Sequence, residues 1–273
     1  MPVPARRSVA ALVDDLRRLG VKEGDVVMVH ASLRAVGPVA GGADGVLDAL
    51  HAALGPGGTL LVNTGVRDDH AWVNERPEHD RPGLLRDAVP FDALTAPADP
   101  DNGVLAEVFR TRPRTLVSDH PEGCFAAAGP LAAALLGNVP WDDYYGPGSP
   151  LARLVGAGGR VLRLGADPDT VTLIHYAEHL VPLAGKRRVR RHRLVAGPAG
   201  PTVRVIETLD DTDGIVDHPG EDYFAVILRA YLAGGRARVG SVGDATSELL
   251  DATDLVDFSV AWMARHLGGS PPA

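Results

Sequence analysis

The amino-acid sequence predicts an α/β protein, a mainly parallel sheet flanked by helices. Three observations predict it. First, a helix, a glycine turn and an apolar strand follow one another three times: Ala10–Leu19/Gly20–Gly24/Val26–Val29, Val46–Leu54/Gly55–Gly58/Thr59–Val62 and Leu151–Val155/Gly156–Gly159/Val161–Leu164. Short links between a helix and the next strand turn the chain back, so successive strands run the same way. Second, 45 % apolar and 23 % charged residues are those of an ordinary globular protein, and 32 glycines and 22 prolines supply many turns. Third, 273 residues suffice to bury a full core. No linker-like stretch divides the chain, so a single domain over 1–273 is expected.

The elements follow in order. The apolar strand Val26–Val29 ends at His30, and Ser32, Arg34 and a glycine-rich turn (Gly37, Gly41, Gly42) lead into the next helix. Backbone N–H groups and a helix N-terminus there suit a phosphorylated ligand. A histidine at the carboxyl end of a strand is where chemistry is usually found in such sheets. The glycines of GPGG (55–58) and GAGG (156–159) precede strands, so they end helices and are not dinucleotide fingerprints. The segment 67–100 carries five prolines and many charges and reads as a long irregular loop, of the kind that is functional or disordered. A helix at Asn102–Arg110, a small-residue strand at Cys124–Gly129 and a short helix at Leu131–Leu136 come next. A helix at about Val171–Leu183, with Asp169 and Thr170 as candidate caps, precedes two strands, Val189–Val195 and Val203–Leu209, read as an antiparallel pair at the sheet edge. A helix at Tyr223–Leu232, a short strand at Ala237–Gly240 and a helix at Asp254–His266 finish the chain, with GGSPPA read as a frayed tail.

Composition narrows the function classes. No signal peptide and no run long and apolar enough for a membrane span is visible, so a cytoplasmic protein without membrane partners is expected. One cysteine, Cys124, excludes an internal disulfide and a multi-cysteine metal site. A formal net charge of −8 argues against nucleic acid as a partner and suits a cationic substrate.

Several constellations carry chemistry. HYAEH places His175, Glu178 and His179 at i, i+3 and i+4, on one helix face. This matches an inverted zincin pattern, a zinc hydrolase reading. It equally suits His175 as a general base with Glu178 orienting it or holding a substrate ammonium, or two solvated surface histidines. His120 precedes Pro121, which holds it in an extended corner, and Cys124 in a small-residue strand reads as packing. KRRVRRHR (186–193) reads as a charged edge strand protected from aggregation. Acidic residues gather at Asp210, Asp211, Asp213, Asp217, Glu221 and Asp222, in part turn and cap chemistry, in part a trap for several ammonium groups such as those of a polyamine or aminosugar.

Together VHASLRAVGPVAGGADGVLDAL, GPGGTLLVNT, SDHPEGCFAAAG, GPGSPLARL, TLIHYAEH and LVDFSVAWM resemble the aminoglycoside 3-N-acetyltransferases, in family order over nearly the whole chain. The resemblance implies a three-layer α/β/α sandwich with a central mixed, mainly parallel sheet, unlike the Gcn5-type acetyltransferase fold. It implies acetyl transfer from acetyl-coenzyme A, with no metal, to the 3-amino group of a 2-deoxystreptamine ring, by a monomer or homodimer. The implied catalytic pair is His175 and Glu178. The implied coenzyme residues are His30, Ser32, Leu33, Arg34, Gly37, Val39, Gly41, Gly42, Thr64 and Ser149. The implied substrate residues are Asp69, His120, Glu178, Asp217, Glu221 and Asp222. Expected oxyanion donors are backbone N–H groups after His30 or the Thr64 hydroxyl. A zinc hydrolase, a transferase for another amine, and a non-catalytic binder of cationic antibiotic are the competing readings.

Overall fold

The computed structural model describes residues 6–268. In chain order the elements are α1 (Val9–Leu19), β1 (Val26–Ala31), α2 (Leu33–Val36), α3 (Ala43–Leu54), β2 (Thr59–Asn63), α4 (Arg81–Leu84), α5 (Gly103–Arg110), β3 (Leu116–Val117), β4 (Phe125–Ala128), α6 (Ala132–Leu136), α7 (Pro150–Gly156), β5 (Arg160–Leu164), α8 (Leu173–Leu180), β6 (Arg188–Val195), β7 (Thr202–Leu209), α9 (Tyr223–Ala233), β8 (Arg238–Val242), β9 (Ala245–Asp251) and α10 (Ala252–His266). Short 3-10 turns at Ala71–Glu75, Pro100–Asn102 and Pro168–Thr170 punctuate the loops.

Seven strands form one sheet in the order β3-β4-β2-β1-β5-β9-β8. Its centre, β2-β1-β5, is parallel, and only β4 and β9 run against the other strands. Side chains alternate across β1: Val26 and Met28 join one core with α6 to α10, and Val27 and Val29 join a second with α1, α3 and α5. Helices cover both faces, which is why the central strands are apolar on both sides and why the molecule has three layers.

The helix ends follow local chemistry. Ser8 accepts a hydrogen bond from the Ala11 N–H at the start of α1, and Gly20, at φ 113°, closes it. Gly55, at φ 64°, ends α3 with its N–H donating to the His51 carbonyl, as the GPGG turn predicts. α8 is shorter than its sequence pattern: Val181 turns extended before Pro182, and the expected caps Asp169 and Thr170 belong to the preceding 3-10 turn. α10 begins at Ala252, two residues earlier than expected, because the Asp251 carboxylate caps Asp254 N–H.

Two expectations are corrected. The strands β6 and β7 are not an edge of the main sheet but a separate two-stranded ribbon, paired from Arg188↔Leu209 to Val195↔Thr202. The place beside β5 is taken by β9, a strand hidden in ATSELLD and joined to β8 by the tight turn at Gly243 and Asp244, with Gly243 at φ 63°. The 67–100 segment is not merely a loop over the sheet. It packs on the open side of β6: Phe91 pairs with Val195, the Asn74 side-chain oxygen accepts from His192 N–H at 2.7 Å, and Arg81 donates to the Arg190 carbonyl at 2.7 Å. Of the GGSPPA tail, 269–273 lie outside the described residues.

Candidate active site

The carboxyl ends of β1, β2 and β5 open on a cavity of about 590 Å³ lined by His30, Ala31, Ser32, Asn63, Ala166 and His175 among others. β1 is the strand from which the chain goes one way to β2 and the other way to β5, the usual crevice of an open α/β sheet. A second hollow of about 190 Å³ meets the first at His175 and is walled by Asp169, Glu178, Asp211, Asp213, Glu221 and Asp222. A third, of about 590 Å³, lies under the ribbon between Asp68, Glu75, Glu122, Asp211 and the arginines 190, 191 and 193. Asp211 lines all three. A larger concavity, about 910 Å³, runs along α1 and β8 and contains none of these groups.

His175 is held by three side chains. Its Nδ1 is 2.7 Å from Glu178 Oε2, one helical turn on. Its ring stacks on Tyr145, with 5.0 Å between centroids and 11° between planes, and meets Phe224 edge-on at 4.6 Å. The other oxygen of Glu178 accepts from the Tyr223 hydroxyl, and Lys186 donates to the Glu178 carbonyl at 2.7 Å, binding the end of α8. Burial pushes the His175 pKa down, but the carboxylates of Glu178, Asp211 and Asp222 outweigh it, and the pKa lies above the ordinary histidine value. With Nδ1 committed to Glu178, Nε2 has no hydrogen-bond partner among the described residues and is the nitrogen left for a ligand.

The other expected residues separate into those the fold brings to the cleft and those it does not. His30 lines the sheet-edge cavity, its Nε2 enclosed without a partner; burial, with Arg163 beside it, pushes its pKa down to about 3. Ser32 also lines it, its hydroxyl capping α2 at the Ala35 N–H and its own N–H donating to the Leu164 carbonyl. Leu33 and Arg34 form the first turn of α2, and Arg34 makes no ion pair among the described residues. Gly41 and Gly42, both at positive φ, lead into the uncapped N-terminus of α3 and are exposed. Gly37, at φ 84°, is fixed by packing, since a Cβ there would come within 2.3 Å of Asp244 Oδ2. Val39 is buried in the core and bridges to Arg7.

Thr64 is fully buried, and its hydroxyl and N–H, with the Gly65 N–H, all converge on the Cys124 carbonyl. Neither it nor the Ser32 N–H is free to serve as an oxyanion donor. Ser149 is likewise buried, capping α7 at the Ala152 N–H. His120 packs between Trp141 and Tyr144; Nδ1 accepts from Gly123 N–H at 2.8 Å, so Nε2 donates to the Trp141 carbonyl at 2.9 Å. Burial pushes its pKa down to about 4, and both nitrogens are used in holding the 118–124 turn. Asp69 is exposed and pairs with Arg67, away from His175; its neighbour Asp68 is the one that lines the cleft. Asp217, its side chain 99 % exposed, pairs with Arg187 and lines none of the three hollows. Glu221 and Asp222 do line the hollow beside His175, although Glu221 pairs with Arg229 and Asp222 caps α9 at the Phe224 N–H.

The HYAEH histidines do not share an environment. His175 faces Glu178, whereas His179 sits against Gly146 and 3.8 Å from Asp143, its pKa pushed down to about 4 by burial. No group of three or more metal-ligating side chains occurs among the described residues. Burial also pushes the Cys124 thiol up, away from a nucleophilic thiolate. The basic run differs from its expected role: Arg187, Arg188, Arg190, Arg191 and Arg193 each bind a carboxylate, and the partners of Arg191 and Arg193, Asp211 and Asp68, line the cleft. Tyr145, Phe224, Tyr223 and Asn63 are site residues that sequence reasoning missed. The YY pair after Trp141 was the only hint, since aromatics are 5 % of this chain.

A sequence model of the family described as aminoglycoside 3-N-acetyltransferase matches residues 28–264. The chain is 41 % identical over 263 residues to aminoglycoside N(3)-acetyltransferase VII of Streptomyces paromomycinus, covering 94 % of this chain and 91 % of that one. Among solved structures it is similar to AAC-IIIb in its binary complex with CoASH, at a TM-score of 0.91 and 40 % identity, covering 98 % of this chain and all of that one (100 %). It is similar also to sisomicin-bound AAC-VIa, at a TM-score of 0.89 and 38 % identity, covering 96 % of this chain and 100 % of that one. Among the described residues no helix is long and apolar enough to cross a membrane.

Proposed function

The chain belongs to the aminoglycoside 3-N-acetyltransferase family, acyltransferases that use acetyl-coenzyme A as co-substrate, and from that premise we propose that His175 is the general base for direct acetylation of the 3-amino group of a 2-deoxystreptamine ring. The observation that carries this reading is the position of His175. It lies where the cavity at the carboxyl ends of β1, β2 and β5 meets an acid-walled hollow, with Nδ1 tied to Glu178 and Nε2 unpaired.

The sheet-edge cavity suits the acetyl donor. It holds a buried unpartnered ring nitrogen on His30, the polar side chains of Ser32 and Asn63, and the helix entry at α2 with an unpaired Arg34 nearby. Bound there, acetyl-coenzyme A supplies an activated acyl carbon and a thiol leaving group. On the other side, Asp169, Asp213 and Asp222 offer negative charge to a substrate carrying several ammonium groups.

An ammonium has no lone pair, so the amine must surrender a proton to become a nucleophile. Glu178 fixes the Nδ1–H tautomer of His175, which leaves the Nε2 lone pair to take that proton directly or through a water. The amine nitrogen bonds to the acyl carbon and the carbon–sulfur bond breaks; of the two protons the nitrogen sheds on its way from ammonium to amide, one passes through the imidazole to the departing sulfur and the other leaves to solvent. The raised His175 pKa describes the free cleft. An incoming polycation offsets the same carboxylates and favours the neutral imidazole. The buried Cys124 thiol supports a direct transfer over one through an acyl-enzyme.

The experiment is thiol release from acetyl-coenzyme A with a panel of aminoglycosides and NMR mapping of the product. Acetyl on the 3-nitrogen supports the reading. Acetyl on another nitrogen overturns the site of transfer, and drug binding without thiol release overturns the catalytic reading.

A further inference from the structure

Arg191 places a guanidinium inside the acidic cleft. It stands on β6 with 15 % of its side chain exposed. It donates to Asp211, to the Tyr144 hydroxyl at 2.7 Å and to Thr212 Oγ1 at 2.9 Å, and lies 3.8 Å from Glu122. Tyr144 in turn donates to the other oxygen of Asp211. Asp211 reaches all three hollows, including both that His175 lines. A cleft for a polycation gains attraction from each unpaired carboxylate, yet here two of them are already bound by a cation of the protein itself.

We infer that Arg191 is a specificity-determining and positioning residue of the transfer site, a resident cation that occupies the Glu122–Asp211 subsite in place of a substrate ammonium and fixes Asp211 beside His175. This rests on the reading of the cleft as the aminoglycoside side and of His175 as the base. A guanidinium satisfies one carboxylate and two hydroxyls with directed hydrogen bonds while standing 3.8 Å from a second carboxylate, which a mobile ammonium cannot do as rigidly. Burial opposes the charge of Arg191, but Tyr144, Asp211 and Glu122 outweigh it and hold it charged. Arg191, with Arg193 3.5 Å from the other Glu122 oxygen, keeps Glu122 from the substrate, and ammonium groups are directed to Asp169, Asp213 and Asp222 beside the base.

Arg191 also tunes the base. The charged and titratable groups around His175 are Glu178 and His179 on α8, Asp169 from the turn before it, Tyr145 from the 141–149 segment, Asp211 after β7, and Asp222 and Tyr223 at the start of α9. Of these, Asp211 is the one whose charge Arg191 offsets. Removing Arg191 leaves His175 facing more uncompensated negative charge, so its pKa rises.

The test uses Arg191→Gln, Arg191→Lys, Glu122→Gln and the Arg191→Gln/Glu122→Gln double variant. Sisomicin binding is read by calorimetry at pH 8 without acetyl donor, and the pH profile of kcat/KM by thiol release. Arg191→Gln is expected to bind sisomicin about tenfold more tightly, the gain of one charge-assisted contact, and to move the acid limb of kcat/KM to higher pH. Arg191→Lys should restore both toward wild type. Glu122→Gln should leave binding within about twofold by itself but weaken it several-fold in the Arg191→Gln background, a coupling between the two sites. Equal effects of Glu122→Gln in both backgrounds overturn the proposal. So does unchanged or weaker binding by Arg191→Gln in a protein that still binds coenzyme A. If Arg191→Gln does not fold, Glu122→Gln alone decides: a clear loss of sisomicin affinity shows that Glu122 already serves the drug. Failure of His175 as base would leave the calorimetric results standing, because no acetyl transfer occurs in them.

Discussion

Tyr145 lies flat on His175, 11° from parallel, with the ring centroids 5.0 Å apart. Phe224 meets the same imidazole edge-on, so two aromatic rings pack on it while Glu178 holds it by one nitrogen. Rotation about χ2 would break both contacts, so the ring is pre-set in the orientation that proton transfer needs.

That grip predicts a difference between two substitutions of Tyr145. Tyr145→Phe keeps the stack and should leave kcat within about threefold. Tyr145→Leu removes it and should lower kcat by about tenfold or more with little change in the KM for acetyl-coenzyme A. It also opens a gap in a side chain that packs against Phe125 and Tyr144, at a cost of roughly 2–4 kcal/mol in stability. Steady-state kinetics and thermal unfolding check both.

Glu178 sets the sign of a pH shift. The base works only when unprotonated, so kcat/KM falls on the acid side of the His175 pKa, which stands above the ordinary value because the Glu178, Asp211 and Asp222 carboxylates outweigh burial. Glu178→Gln removes the nearest charge and leaves burial opposing protonation. The acid limb should then move to lower pH, while kcat drops by about tenfold as the ring loses its anchor. A limb that stays in place assigns the ionisation to another group.

Acid should unfold the protein through buried histidines other than His175. His30, His120 and His179 have folded pKa values pushed down to about 3, 4 and 4 by burial, against about 6.5 in an unfolded chain. The unfolded state therefore binds more protons below pH 6.5. The stability these groups contribute is fully present above that pH and lost as pH falls toward about 4. His175, raised, has the opposite sign, its contribution being present below pH 6.5 and lost as pH rises through its folded value. Burial lowers His51 and His192 as well, so with five histidines against one the melting temperature should fall steadily from pH 7 to pH 5 in differential scanning calorimetry; a flat profile contradicts this account.

Much of the fold was legible because it is local. The three helix–turn–strand units, the glycine stops at Gly20 and Gly55 and the starts of β1 and β2 follow from periodicity and caps within a few residues. β9 escaped because ATSELLD contains few β-branched residues, and its identity as a strand depends on pairing with β5, some eighty residues earlier. The ribbon was misplaced for the same reason, since which sheet a strand joins is decided by long-range register. In the site, His175 and Glu178 were legible because i, i+3 spacing puts them on one helix face. Asp217 and Asp69 misled because an acidic residue near a cleft looks the same in sequence whether it faces the cleft or a surface arginine. The same blindness hid the arginines of β6, whose pairing with Asp68, Glu122 and Asp211 joins segments far apart in the chain.

The central claim is tested most directly by the rate of thiol release from His175→Ala, with acetyl-coenzyme A and sisomicin both saturating and binding of each measured separately. A loss of about a hundredfold or more in turnover, with both ligands bound within a few-fold of wild type, is the predicted result. Turnover equal to wild type would show that the proton leaves the amine by another route.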